Sequence, residues 1–483
     1  MGLVGILLAL GVLIWLSFRG WSVLVLAPAA ALIAAIAAGE PLLAHWTQTF
    51  MGAAAGFIAQ FFPLFLLGAL FGKLMDDSGS VKAIAQFMTE RLGEQRAILA
   101  VVLAGALVTY GGVSLFVAVF VLAPMAQALF RAAQIPNRLV PVAILLGTAT
   151  FTMSALPGTP AIQNAIPMPF FGTTPFAAPG LGIIAAAIML CFGLWWLARA
   201  EASARRSGEG FGGGQNAPGE AAEDLVVRER ATTASTFDPA EIQHGRHGDE
   251  SPGVFVAALP LIVVVLVNLV MSMLVLPRLD TSFLAEERWG VTPLSAVSGV
   301  WSVIVALASA IAVLVLLNRG RLPALRDTVD AGVNASSLPV LSVASLVGFG
   351  AVVAAMPAFA VVRDWVLSIE GGPLVSLAVA TNILSALTGS ASGGMSIALD
   401  ALGATYMQLA AELGIDPGVL HRVAVMSAGT LDTLPHNGAV VTMLAVCGST
   451  HKESYFDIVM VGIVGPVVAL VAVIALGSAF GSF

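Results

Sequence analysis

Tyr110-Gly111-Gly112-Val113-Ser114 is followed by Leu156-Pro157, and Ser392-Gly393-Gly394-Met395-Ser396 by Leu434-Pro435. The spacing from glycine to proline is 46 residues in the first copy (157 − 111) and 42 in the second (435 − 393). Each copy places glycine, proline and hydroxyl residues inside long apolar sequence. Matched interruptions in the two halves of a membrane protein point to a transporter binding site built from discontinuous helices.

The apolar setting is general. The chain is 58% apolar and 10% charged, against roughly 25% charged in soluble domains. Runs such as Leu181–Leu197, Val254–Val275 and Val461–Leu476 have or approach the length of a membrane span. They recur to the C-terminus, so one cleavable leader does not account for them. Cys191 and Cys447 both lie in apolar runs without metal-ligand neighbours, so neither a disulfide nor a metal site is expected. No cofactor and no nucleic-acid partner are expected. Much of the acid behind the net charge of −7 sits in one polar segment.

Apolar segments run near 2–17, 21–38, 51–72, 97–130, 139–166, 175–199, 253–277, 291–317, 337–362, 373–410, 419–448 and 455–478. Segments 97–130 and 373–410 are too long for one crossing and carry the glycine motif near their middle, as a re-entrant helical hairpin would. Segments 139–166 and 419–448 are interrupted by Leu-Pro, which removes a backbone donor. A helix broken at membrane depth is tolerated where it is buried in protein or lines a cavity. The expected fold is an all-α polytopic membrane protein of two inverted repeats, each with one re-entrant helical hairpin and one broken transmembrane helix. Residues 1–199 form the first half and 253–483 the second. Residues 200–252, with Gly208–Gly214, Asn216–Glu220 and His244–Glu250, read as a flexible cytoplasmic linker. His244 and His247 are read as solvated linker residues.

Charge sets the orientation. With both long segments as hairpins and both chain ends outside, 17 of the 21 basic residues fall on the cytoplasmic side. The remaining 4 are Arg278, Arg288, Arg363 and Arg422. Discounting six in or beside the linker leaves 11 against 4 (17 − 6 = 11). This bias satisfies the positive-inside rule and makes the two repeats inverted.

Four interruptions would then face one site: Thr109–Ser114, Ser154–Asn164, Thr388–Ser396 and Thr430–Gly438. Each can present a half-helix N-terminus, whose unpaired N–H groups hold an anion without a lysine or arginine. Pro160 after Thr159 reads as the start of such a half-helix. The expected substrate-binding residues are Tyr110, Gly111, Gly112, Ser114, Gly158, Thr159, Gln163, Asn164, Ser390, Ser392, Gly393, Gly394, Thr433 and Asn437. Asp432 and His436 flank the second break, where the first half has Ser154 and Gly158. An ionisable group inside a membrane is a functional candidate by default, so these two are the expected ion-coupling pair. Asp400 is read as lying near the outer surface, and His45 and His451 as loop residues without a specific role.

The stretches His421-Arg-Val-Ala, Leu431-Asp-Thr-Leu-Pro-His-Asn-Gly-Ala439 and Thr388-Gly-Ser-Ala-Ser-Gly-Gly-Met395 resemble the gluconate:proton symporter (GntP) family of the ion transporter superfamily. So do Tyr110-Gly-Gly-Val-Ser-Leu-Phe116 and Ala155-Leu-Pro-Gly-Thr-Pro160. The likeness spans most of the chain outside the 200–252 segment. It implies a bacterial inner-membrane homodimer that couples protons, in preference to Na+, to uptake of a small organic anion. Gluconate, or a related hydroxylated carboxylate such as 3-hydroxybutyrate, is the implied substrate, moved by an elevator-like change of a transport domain, which carries the two hairpins, against a scaffold domain. The rival readings are a Na+-coupled carboxylate carrier of the same superfamily and an anion channel. An enzyme is not expected, since no nucleophile–base pair stands at suitable spacing.

Overall fold

Inside a bilayer, backbone groups must be satisfied within the segment, so long apolar runs become helices. The structure, a computed structural model, describes residues 2–18, 21–211, 251–435 and 437–483, and all regular structure among them is helical. His436, His244 and His247 lie outside the described residues, as does most of the expected linker.

The first half runs through α1 (Gly2–Phe18), α2 (Val23–Ala38), α3 (Leu42–Asp77), α4 (Ser80–Leu92), α5 (Ala97–Tyr110) and α6 (Leu115–Ala132). It continues through α7 (Val140–Thr148), α8 (Phe151–Ser154), α9 (Ile162–Ala165), α10 (Pro167–Phe171) and α11 (Pro179–Arg206). The second half holds α12 (Val254–Arg278), α13 (Leu294–Leu317), α14 (Leu325–Ala355), α15 (Phe359–Leu367) and α16 (Gly372–Thr388). It ends with α17 (Ala391–Leu413), α18 (Pro417–Thr430), α19 (Gly438–Val446) and α20 (His451–Phe480).

Among the described residues six helices, α3, α11, α12, α13, α14 and α20, are long and apolar enough to cross a membrane. The pair α4–α5, bent by 104° at Gly93, would make a seventh. The protein is therefore a multi-pass membrane protein. Helix α4 was not among the expected apolar segments, because only one face, around Val81 and Ile84, is buried and such a helix carries no continuous apolar run.

Helix α14 is the spine. It packs along α3 and against α2 and α17. In its most apolar window 67% of residues are buried in protein, against 28% for α12, so α12 lies far more at the periphery of the helix bundle. One core cluster gathers α1, α2 and the end of α14 around Phe349. A much larger one holds the broken and paired helices. Lipid is as apolar as leucine, so close backbone approach at small residues drives such packing. Gly394 of α17 shows it: a Cβ there would run into the Ser385 backbone of α16.

Seven residues separate the helices at each break: Ala155–Ala161 between α8 and α9, and Leu431–Asn437 between α18 and α19. The first half-helix begins at Ile162 rather than at Pro160. Thr159 Oγ1 accepts from the Ala161 N–H (3.3 Å), a turn that precedes the helix.

Candidate functional site

The turn between α5 and α6 is made by the first glycine motif. Gly112 stands at φ +100°, a conformation open to glycine, and its N–H donates to Thr109 O (3.0 Å). The second motif behaves differently. The turn between α16 and α17 falls at Gly389, φ +62°, and Ser390, whose Oγ accepts from the Gly393 N–H (3.1 Å) as an N-cap. Ser392–Ser396 are helical and buried.

Each turn is tied to the break of its own half. The Tyr110 hydroxyl donates to Pro157 O (2.8 Å). Asn437 Nδ2 donates to Gly389 O (2.9 Å), while Asn437 Oδ1 caps α19 by accepting from the N–H groups of Ala439 (2.7 Å) and Val440 (3.4 Å). Further bonds hold the second break: Thr433 Oγ1 to Gly462 O (3.2 Å) and His451 Nε2–H to Pro435 O (2.8 Å). His451 therefore has a specific structural role, as the first residue of α20.

The two turns and the two breaks meet at a cavity of about 190 Å³. Thr109, Gly112 and Ser114 line it from the first turn, and Ser154, Ala161 and Gln163 from the first break. Gly389 and Ser390 line it from the second turn, and Asp432, Thr433 and Asn437 from the second break. Leu64 and Phe65 of α3 and Ser336 and Pro339 of α14 close one side. Leu115, Ala391 and Ala439, at the starts of α6, α17 and α19, line this space, and a helix start carries partial positive charge. Among the described lining residues Asp432 is the ionisable one. Asp432 Oδ1 and Gln163 Oε1 are shielded from solvent and have no hydrogen-bond partner among the described residues. Ser154, the positional counterpart of Asp432, spends its hydroxyl on Thr150 O (3.0 Å). Unpaired buried oxygens cost free energy, and a ligand's donors or a cation would satisfy them.

Eight of the sequence-derived candidates lie behind the cavity wall. Gly111 packs on Leu261 and Gly393 on Leu346. Gly394 meets Ser385, and Ser392 Oγ contacts Ser390 Oγ (3.3 Å). Gly158, at φ +81°, gives its carbonyl to Asn268 Nδ2 (3.0 Å). Tyr110, Thr159 and Asn164 hold the first break internally. Asp400 is exposed and away from the cavity.

Two residues escaped the sequence reading. Arg422, counted among the outer-side charges, is 0% exposed within α18. Without it the charge count becomes 17 against 3 (4 − 1 = 3). Its Nη2 donates to Ala177 O (2.7 Å), and Nη1 faces Asn164 Oδ1 (3.4 Å) and Ser154 O (3.5 Å). Neighbouring His421, also fully buried, donates from Nε2–H to Asn164 Oδ1 (3.1 Å) and accepts at Nδ1 from the Thr173 hydroxyl (2.6 Å). The polar His-Arg pair inside an apolar run was the available signal.

The chain is 41% identical to the uncharacterized transporter YxjC of Bacillus subtilis (strain 168) over 490 residues, covering 100% of both. A Haemophilus influenzae transporter is 31% identical over 128 residues, 26% of this chain and 30% of that one. The solved structure of Neisseria gonorrhoeae MtrF, described with a class of antimetabolite efflux pumps, is similar with a TM-score of 0.53. That alignment covers 92% of this chain and 86% of MtrF at 14% identity, a likeness of fold alone. The profile of the GntP family permeases matches residues 1–170. With a full-length transporter relative and this profile, the chain belongs to the GntP permease family and is a transporter rather than an enzyme.

Proposed function

We propose that the protein is a proton-coupled symporter of a small hydroxylated carboxylate, gluconate or a relative such as 3-hydroxybutyrate, in a bacterial inner membrane. The observation that carries this reading is the cavity where both turns and both breaks meet, with Asp432 as the ionisable residue of its described lining and two buried oxygens that have no partner among the described residues. The substrate carboxylate sits beside the starts of α6, α17 and α19, where helix ends favour negative charge. Ser114, Ser390, Thr433 and Gln163 serve its hydroxyls. A proton, in preference to Na+, occupies Asp432, with His436 as its partner.

Coupling follows from linkage: an ion on Asp432 removes a negative charge from beside the substrate, so each stabilises the other's bound state, reciprocally. The parallel order of helices in 2–206 and 254–480 and the charge count support two inverted repeats with re-entrant hairpins. On this reading α5–α11 and α16–α20 move against α3 and α12–α14 in an elevator-like step, within a homodimer. In proteoliposomes, labelled gluconate and 3-hydroxybutyrate are offered under an imposed pH gradient, with choline in place of Na+. Accumulation in choline supports the proposal. Accumulation that appears only with Na+ overturns the proton assignment, and flux without saturation or counterflow indicates a channel.

A further inference from the structure

An anionic substrate in this cavity faces a difficulty. Among the described residues the lining holds an aspartate and no lysine, arginine or histidine. Arg422 supplies a cation one layer behind the wall. It is the largest fully buried side chain in the described protein. Its guanidinium contacts are neutral oxygens, Ala177 O, Asn164 Oδ1 and Ser154 O, and its Nε has no partner among the described residues. No carboxylate forms an ion pair with it among the described residues, whereas buried Lys73 is paired with Asp77 at 2.9 Å. An unpaired buried charge is costly and is retained where it has a use.

The placement suggests the use. Ser154, whose carbonyl faces Arg422 Nη1, lines the cavity, as does Gln163, the neighbour of Asn164. The field of Arg422 therefore crosses a single layer of the first break with little solvent to screen it. The other end of α18, about 12 Å further along at 1.5 Å per residue, leads into Asp432. The helix thus carries a cation behind one break and an acid in the other.

Resting on the cavity as the substrate site, we infer that Arg422, held by Asn164 and seated beside His421, is a positioning and selectivity residue. It fixes the first break and gives the cavity its preference for a carboxylate over a neutral group, without touching substrate. The test compares inhibition of uptake by the carboxylate with inhibition by the corresponding primary amide. The wild-type protein should favour the acid by about tenfold or more, the scale of one charge interaction in a partly polar medium. Arg422→Gln should bring the two close to parity, and Arg422→Lys should restore most of the preference.

Asn164→Asp keeps the arginine but places a carboxylate against it, so it should also erode the preference, and it serves if Arg422→Gln fails to fold. A full preference for the acid in Arg422→Gln or Asn164→Asp overturns the inference. So does an Arg422→Lys protein no better than Arg422→Gln. Gln163→Leu, on the cavity wall, separates the two claims. If it weakens acid and amide alike while the Arg422 variants behave as wild type, the Arg422 inference alone fails. If it too leaves both inhibitors unchanged, the cavity reading fails.

Discussion

The two glycine motifs are near-copies in sequence and different objects in space. Gly111–Ser114 is the turn between α5 and α6, and Gly112 supplies its positive φ. Ser392–Ser396 is the first stretch of α17, where Gly394 lets the α16 backbone approach, and the turn itself lies earlier at Gly389-Ser390. The breaks diverge likewise. Ser154 bonds the backbone of Thr150, while its counterpart Asp432 leaves an oxygen at the cavity without a partner among the described residues. A repeated motif can therefore preserve where helices stop while one copy forms the turn itself and the other packs a helix and adds a charge.

The largest expected effect breaks that asymmetry at its acid. Asp432→Asn should abolish pH-gradient-driven accumulation, by roughly 100-fold or more (about 3 kcal/mol), while substrate counterflow persists. Ser154→Ala should stay within about twofold, since it loses one neutral hydrogen bond. Equal losses in the two variants would mean that the halves share ion coupling.

The motifs themselves come next. Gly394→Leu should lower stability by about 3 kcal/mol or more, because the new side chain meets backbone that cannot yield. Gly112→Ala should cost about 1–3 kcal/mol through its positive φ, with its Cβ also 2.7 Å from Pro160 Cγ. Thermal unfolding in detergent measures both. A Gly394→Leu protein as stable as wild type would remove the packing account of the second motif.

The smallest effects concern the ties between turn and break. Asn437→Ala loses two caps and the bond to Gly389 O and should cost about 1–2 kcal/mol. Tyr110→Phe loses the single bond to Pro157 O and should cost about 1 kcal/mol. The reverse order would show that the first tie is the stronger.

Much of this was legible in sequence because hydropathy and helix breakers report directly on where a span starts and stops. Gly389, Leu434-Pro435 and Leu156-Pro157 all mark helix interruptions in the structure. The face a residue presents was not legible. Gly111, Gly393 and Gly394 read as room for a ligand, but they serve helix packing. Arg422 was misplaced for a related reason. The charge rule assigns a basic residue near a helix end to a surface, and only the three-dimensional path of the 154–177 segment supplies the carbonyls that bury it. Helix α4 escaped because an amphipathic helix has no apolar run.

The proposed coupling moves the substrate together with a proton held on Asp432 of the second break. The most direct measurement is the pH change outside proteoliposomes when substrate is added in Na+-free buffer, with wild-type and Asp432→Asn protein. Proton coupling through Asp432 predicts external alkalinisation with the wild type and none with the variant. An equal signal from both proteins, or wild-type uptake without any pH change, would contradict it.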